Sequence, residues 1–173
     1  MGEALDVVVR FGSSGRLGPL RCGMPLQELE TLIGPFHDRM HDSKPRRWRP
    51  RLHFWDDLEV LICHGLVIEV GVPLWRDTVA LPSALSGWER PIAARLDMLE
   101  VLSALDTAGC EWEEAPGIVV GDRARGIRTR QHDVCLVFAP ESHSGDSRLH
   151  KIYKSDPEAD QNDHSPRQGR ATQ

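Results

Sequence analysis

Two histidines stand four residues apart in the stretch HDRMHD, and each is followed by an aspartate. On a helix, His37 and His41 would share one face, which is how many zinc sites begin. The glutamate of the zinc-protease motif is absent, however, and no third ligand is indicated. The segment then continues into SKPRRWRP, which is typical of a loop. We therefore predict no metal site.

Two other stretches contain residue types used in catalysis or phosphate binding. HDVC holds His132 and Cys135, but in a strand residues three apart point to opposite faces, so they cannot form a nucleophile-base pair. GDRARGIRTR has glycines but lacks the following helix and the Lys-Ser/Thr pair of a phosphate-binding loop. Its arginines could touch phosphate, although solvated side chains are the more common case; they are Arg123, Arg125, Arg128 and Arg130. We predict no catalytic residue and no cofactor.

The composition favours a compact protein without a general affinity for nucleic acid. The chain has 173 residues, 40% of them apolar, and a formal net charge of -5. A nucleic-acid binder normally carries a basic patch. We find no signal peptide and no apolar run of about 20 residues that would span a membrane. We therefore predict a cytoplasmic protein whose four cysteines are reduced and mostly buried.

The elements that position these residues follow one order twice. LDVVVRFG, residues 5–12, is rich in β-branched residues and predicts a first strand. GMPLQELETLIGP predicts a short helix, with Pro25 at its first position and Gly34 as its C-terminal cap. A sheet then continues through residues 58–72. This helix-plus-sheet pattern predicts a first unit at residues 1–72.

A second helix-plus-sheet unit is predicted at residues 92–154, after a connector at residues 73–91 that is rich in Pro, Gly and Ser. In LDMLEVLSALDTAG, Asp97 and Glu100 predict a capping box. The stripe predicted to face the core is Leu99, Leu102 and Leu105. Residues 155–173 are polar and predict a disordered tail. The predicted fold class is α+β, with two tandem units of a short helix packed on an antiparallel sheet.

The hairpin LEVLICHGLVIEV raises the question of which side chains face away from the core. A two-residue turn at His64 and Gly65 would mix charge into both faces, so we predict a three-residue loop instead. In that register Glu59 lies opposite Glu69. The outward face then consists of Glu59, Leu61, Val67 and Glu69. This acidic rim around aliphatic residues predicts binding to a basic protein partner.

The stretch CEWEEAP, residues 110–116, is a second candidate contact surface. It places Trp112 among the carboxylates of Glu111, Glu113 and Glu114. A tryptophan with flanking carboxylates is typical of a protein-contact patch. It is equally typical of a helix exit whose tryptophan covers the core. Both interpretations remain open, and we include these four residues among the predicted partner contacts.

The stretch GMPLQELETLIGP resembles the opening of a widespread set of small bacterial domains. In these domains a Gly-led turn, a short helix and a terminal Gly-Pro precede an antiparallel meander. β-Lactamase-inhibitor-like and outer-membrane-lipoprotein assembly-factor-like folds share this plan, and bacterial immunity proteins look similar. The tandem arrangement resembles the inhibitor-type proteins most. This resemblance implies a protein that binds an enzyme across its sheet and has no catalytic residue of its own.

We therefore expect a cytoplasmic protein-binding inhibitor that neutralises a toxin, with a basic toxin domain as partner. A first alternative is a small enzyme or ligand-binding domain with a pocket between the units. That pocket would hold His37, His41 or Arg128. A second alternative is a structural accessory protein without a toxin partner. A deep polar pocket would favour the enzyme, and an open, charged sheet face would favour the inhibitor.

Overall fold

The protein is α+β, with helices and a large antiparallel sheet. A computed structural model describes residues 2–36, 50–118, 124–140, 146–156 and 158. The helices are α1 (Glu3–Ser14), α2 (Leu26–Ile33), α3 (Ser83–Ser86) and α4 (Met98–Thr107). The strands are β1 (Arg51–Trp55), β2 (Leu58–Cys63), β3 (Leu66–Pro73), β4 (Thr78–Val79), β5 (Ile92–Ala93), β6 (Trp112–Glu114), β7 (Arg125–Thr129), β8 (Val134–Pro140) and β9 (Ser147–Ser155).

The two predicted units share one seven-stranded sheet, with the strand order β1-β2-β3-β9-β8-β7-β6. The last strand of each half, β3 and β9, pair with each other in antiparallel orientation at the centre. Helix α1 packs on α4 and on β8, and the buried apolar side chains of both halves form one core. The boundaries predicted at 72 and 92 therefore do not delimit separate cores.

Both halves attach the helix to the sheet in the same way. The N-cap of α2, Pro25, forms a β-bridge with the first residue of β3, and the N-cap of α4, Asp97, forms one with β9. One residue earlier, the Met24 carbonyl accepts the Val67 N–H at 2.9 Å, and the Leu96 carbonyl accepts the Leu149 N–H at 2.9 Å. Each helix therefore begins on the final strand of its own half.

The strand predicted at residues 5–12 is wrong, because these residues belong to α1. The valine run favoured a strand by intrinsic preference, but Leu5, Val8, Val9 and Gly12 recur at helical spacing and are buried. A Cβ on Gly12 would lie 3.0 Å from Leu105 Cδ2, so the glycine permits close packing of α1 on α4. Burial of this face outweighs the weak β preference of valine.

The predicted register of the central hairpin is also wrong. His64 and Gly65 have φ of 50° and 80°, which suits a two-residue turn, and Cys63 pairs with Leu66. A bulge between Leu61 and Ile62 then shifts the register. The extra residue in β3, Ile68, restores the pairing of apolar side chains after a turn that would otherwise mix charge into the core.

This bulge changes the position of one predicted contact residue. Ile62 pairs with Val67, and Val67 is 0% exposed in the core. Further from the turn, Leu61 pairs with Glu69 and Glu59 pairs with Gly71. The predicted outward position of Val67 and the predicted pairing of Glu59 with Glu69 are therefore both corrected.

Helix α4 is predicted correctly as an element, and Leu102 and Leu105 of its predicted core stripe do contact the core, but Leu99 does not. Met98, Val101 and Leu105 are buried, whereas Leu99 is 80% exposed. Asp97 is the N-cap but makes no side-chain capping bond, so the predicted capping box does not form. The bridge from Asp97 to β9 orients the start of the helix instead.

The connector and the tail also differ from expectation. Residues 73–91 contain β4 and α3, and they bury Val79, Leu81 and Leu85 in the core. Ser155 belongs to β9, and the Asp156 N–H bonds to the Ile68 carbonyl, so the ordered part extends beyond residue 154. Apart from residue 158, the rest of the predicted disordered tail from residue 157 onwards lies outside the described residues, as do His37 and His41.

Candidate functional site

The candidate site is the side of the sheet that faces away from the core. Exposure alternates along the strands: Val60 and its partner Val70 are at most 1% exposed, whereas Leu61, the next residue of β2, is half-buried. We call this surface the open face. Its residues, assigned from strand register, are Leu52, Phe54, Glu59, Leu61, Glu69, Gly71, Glu113, Arg128, Cys135, Val137, Lys151 and Tyr153.

The apolar side chains of the open face do not belong to the core. The core cluster contains residues of α1, α4 and the inward strand positions, but Phe54, Leu61 and Val137 neither join it nor pack against it. Leu52 is 40% exposed. At the β7 end, Ile118 covers the face, since a Cβ on Gly126 would lie 2.5 Å from Ile118 Cγ1. In the described ranges the four α-helices thus lie on the other side, and only the short 3-10 helix Pro116–Ile118 lies over the open face.

A lysine occupies the centre of the open face. Lys151 Nζ lies 2.7 Å from Glu59 Oε2 and 3.8 Å from Glu69 Oε1. The second carboxylate oxygen of Glu69 accepts a hydrogen bond from the Ser155 hydroxyl at 2.7 Å. Both glutamates predicted to form an acidic rim are therefore compensated locally, because one cation from β9 lies between them.

The arrangement depends on a glycine in the intervening strand. Lys151 extends from β9, and Glu59 lies on β2, so the lysine crosses β3 at Gly71. A Cβ on Gly71 would lie 3.0 Å from Lys151 Cε and 3.5 Å from Tyr153 Cβ. The missing side chain gives the lysine its path across the sheet.

Next to this lysine, Tyr153, Cys135 and Arg128 follow one another across three neighbouring strands. Lys151 Nζ lies 5.6 Å from the centre of the Tyr153 ring. Burial raises the pKa of Tyr153 to about 12, and its interaction with the Cys135 thiol adds to this increase, whereas the Arg128 guanidinium acts in the opposite direction. The phenol is therefore a neutral hydrogen-bonding group at physiological pH.

The structure places some predicted contact residues together and separates others. Glu59, Leu61 and Glu69 lie on the open face, with Glu113 at its far edge opposite Arg128. Val67 lies in the core. Whether the outward residues bind a partner stays a prediction.

The second predicted patch, residues 111–114, does not form one surface. Trp112 packs against the core, and its indole N–H donates to Asp106 Oδ1 at 2.9 Å. Glu114 forms an ion pair with Arg125, and Glu113 Oε2 lies 3.3 Å from Arg130 Nε. Glu111 is exposed before the strand, where its carbonyl accepts the Arg130 N–H. The tryptophan position agrees with the helix-exit interpretation.

Sequence reasoning missed the half of the open face contributed by β9, β8 and β7. The alternation in RLHKIYK indicated a strand, with Lys151 and Tyr153 on one side and Ile152 on the other. This signal could assign both residues to one face. It could not show that the strand pairs with β3, because that pairing joins segments about eighty positions apart.

Two cavities lie away from the open face. One, of about 640 Å³, lies beside α2 and is lined mainly by Pro19, Met24, Pro25 and Leu32. The other, of about 410 Å³, lies between Leu32, Trp55 and Pro82. Neither includes Arg128, which the ligand-binding alternative would place in a pocket.

In the described ranges, no three His, Cys, Asp or Glu side chains come together in a way that could hold a metal ion. Among the helices of the same ranges, none has the length and apolar character to cross a membrane. None of the four cysteines, all of which the structure describes, forms a disulfide bond, and three of them are buried. Comparison with known proteins adds no relative: no family model matches the chain, and no curated protein or solved structure matches it.

Proposed function

We propose that this chain is a cytoplasmic protein-binding inhibitor that neutralises a toxin, and that the toxin docks on the open face. The observation that supports this most is the set of apolar side chains on that face that no core contact uses, above all Leu52, Phe54 and Leu61. Apolar surface that folding leaves outside the core is commonly buried by a partner.

The shape and chemistry of the face suit a protein better than a small molecule. Small ligands are bound in concave pockets that bury most of their surface. The open face is instead a sheet surface that combines aliphatic, aromatic and charged residues. Protein interfaces of ordinary size bury about 800 Å² on each partner and combine an apolar centre with a polar rim.

The charges support recognition at two distances. The formal charge of -5 attracts a basic partner at long range and raises the rate of encounter. On the open face itself, the carboxylates of Glu59, Glu69 and Glu113 are interspersed with the cations of Lys151 and Arg128. Contact there requires a complementary pattern of both signs, which favours one partner over others. The inhibitor acts by occupying the toxin and catalyses no reaction.

The proposal is tested with the reading frame immediately upstream of this one in its own genome. Expression of that frame alone should arrest the growth of a host strain, and co-expression of this chain should restore growth. The two purified proteins should elute together in size-exclusion chromatography. An upstream product that is not toxic, or growth that stays arrested on co-expression, would contradict the function.

A further inference from the structure

Arg128 is a partly buried cation of the sheet for which the described residues supply no hydrogen bond and no ion pair. It lies on β7 between Ile127 and Thr129, which are both 0% exposed and face the core, so its side chain lies on the open face. Its Nε atom is buried and has no hydrogen-bond partner. Among the residues that the structure describes, none forms an ion pair or hydrogen bond with its guanidinium.

The nearest carboxylate across the strands is engaged elsewhere. Glu113 lies directly opposite Arg128 in the β6–β7 pair, yet its Oε2 lies 3.3 Å from Arg130 Nε. The other buried arginine is a useful contrast. Arg148 also has an unpaired Nε, but its two Nη atoms donate to Asp77 Oδ1 at 3.0 Å and to the Arg76 carbonyl at 2.6 Å.

An arginine in this position costs folding free energy. A guanidinium in a partly buried position loses part of its hydration, and this loss costs free energy. The buried Nε also lacks the hydrogen bond that it would make in water. An apolar side chain of similar length would avoid both costs, so stability of the chain alone gives no reason for the charge.

We propose that Arg128 is the anchor for a carboxylate supplied by the protein partner. The inference rests on the proposed function for the source of this carboxylate, an Asp or Glu side chain of the toxin. Since Nε is buried, we assign the contact to the two Nη atoms, which can offer a pair of parallel donors to the two carboxylate oxygens. Cys135 on the neighbouring strand β8 and Tyr153 on the next strand, β9, lie on the same side of the sheet as Arg128.

The test uses the isolated chain and two blocked amino acids as probes. N-acetylglutamate amide carries the carboxylate, and N-acetylglutamine amide is its neutral match. The ¹⁵N signal of Arg128 Nε–H reports on the guanidinium. The ring signals of Tyr153 report on the same place without ambiguity, because the chain has a single tyrosine. Arg125→Met is the matched control for Arg128→Met, because it removes an exposed arginine of the same strand that pairs with Glu114 and leaves the contact of Glu113 with Arg130 in place.

At constant ionic strength, the glutamate probe should shift both signals more than the glutamine probe does, with a dissociation constant on the order of tens of millimolar. Arg128→Met should abolish the difference at Tyr153, whereas Arg125→Met should keep it. The melting temperature of Arg128→Met should equal or exceed that of the parent. Equal shifts with both probes, a difference that survives Arg128→Met, or a fall of more than about 3 °C in that variant would each overturn the proposal.

These measurements separate the anchor from the function. The probe titration needs no toxin. If the growth assay fails and the titration is positive, Arg128 still binds a carboxylate, but this carboxylate does not come from a toxin. If growth is restored but both probes give equal shifts, the chain is an inhibitor and Arg128 is not its anchor.

Discussion

Lys151 lies between Glu59 and Glu69 on the open face and offsets part of their negative charge. It reaches across β3 over Gly71 and lies 2.7 Å from Glu59 Oε2. A partly buried ion pair of this kind is worth more than an exposed one, because less water screens it. The face therefore presents a mixed pattern of charges, and a partner must match both signs.

The ionisation of the Tyr153 phenol makes the stability of the protein depend on pH. Burial first, and the Cys135 thiol second, raise its pKa from 10.0 to about 12. Below pH 10 the phenol is protonated in both states. Between pH 10 and 12 the unfolded chain ionises first, so this group makes the free energy of unfolding fall as pH rises.

The measurement is an absorbance titration of tyrosinate, which reports on Tyr153 alone because the chain has one tyrosine. The midpoint should lie near 12 in the folded protein and near 10 in denaturant. A midpoint near 10 in protein that circular dichroism shows to be folded would contradict the burial of this phenol.

At the scale of elements, the central hairpin shows how local rules compete. Gly65 suits either a two-residue turn or a three-residue loop. Without a bulge, only the three-residue loop gives a strand pairing in which one side of the hairpin is wholly apolar. The protein adopts the two-residue turn and corrects the pattern with a bulge at Ile68. Val67 enters the core as a result, while Leu61 stays on the open face.

Lysine substitutions distinguish the two registers. Val67→Lys buries an unpaired charge and should lower the free energy of unfolding by about 3 kcal/mol or more. Leu61→Lys can extend its ammonium into water and should change it by less than about 1 kcal/mol. Urea denaturation followed by tryptophan fluorescence measures both. Equal losses would support the three-residue loop, in which both residues share one face.

Helices α2 and α4 were predictable because their ends and spacing are local signals, whereas α1 was not. Its valines favour a strand when read alone, and only the contact of Gly12 with Leu105 of α4 shows what the buried face packs against. The same reason explains the exposed Leu99. Several leucines of α4 fit a helical stripe, and the tertiary contact decides which stripe is buried.

For the whole molecule, the two halves share a sheet because the final strand of each half pairs with that of the other. The repeated attachment of α2 to β3 and of α4 to β9 makes each half a similar unit. Their union brings Lys151 and Tyr153 of one half beside Glu59 and Gly71 of the other. The α+β class was therefore readable from local patterns, whereas the composition of the open face required the pairing between halves.

The central claim is that the open face is the surface that binds the toxin. It is tested most directly by growth rescue with Leu61→Lys and Leu99→Lys, once urea denaturation has shown both to be folded. Both replace an accessible leucine by lysine, but Leu61 lies on the open face and Leu99, 80% exposed, lies on α4. We predict that Leu61→Lys loses rescue and Leu99→Lys keeps it. Full rescue by Leu61→Lys, or equal loss in both variants, would contradict the claim.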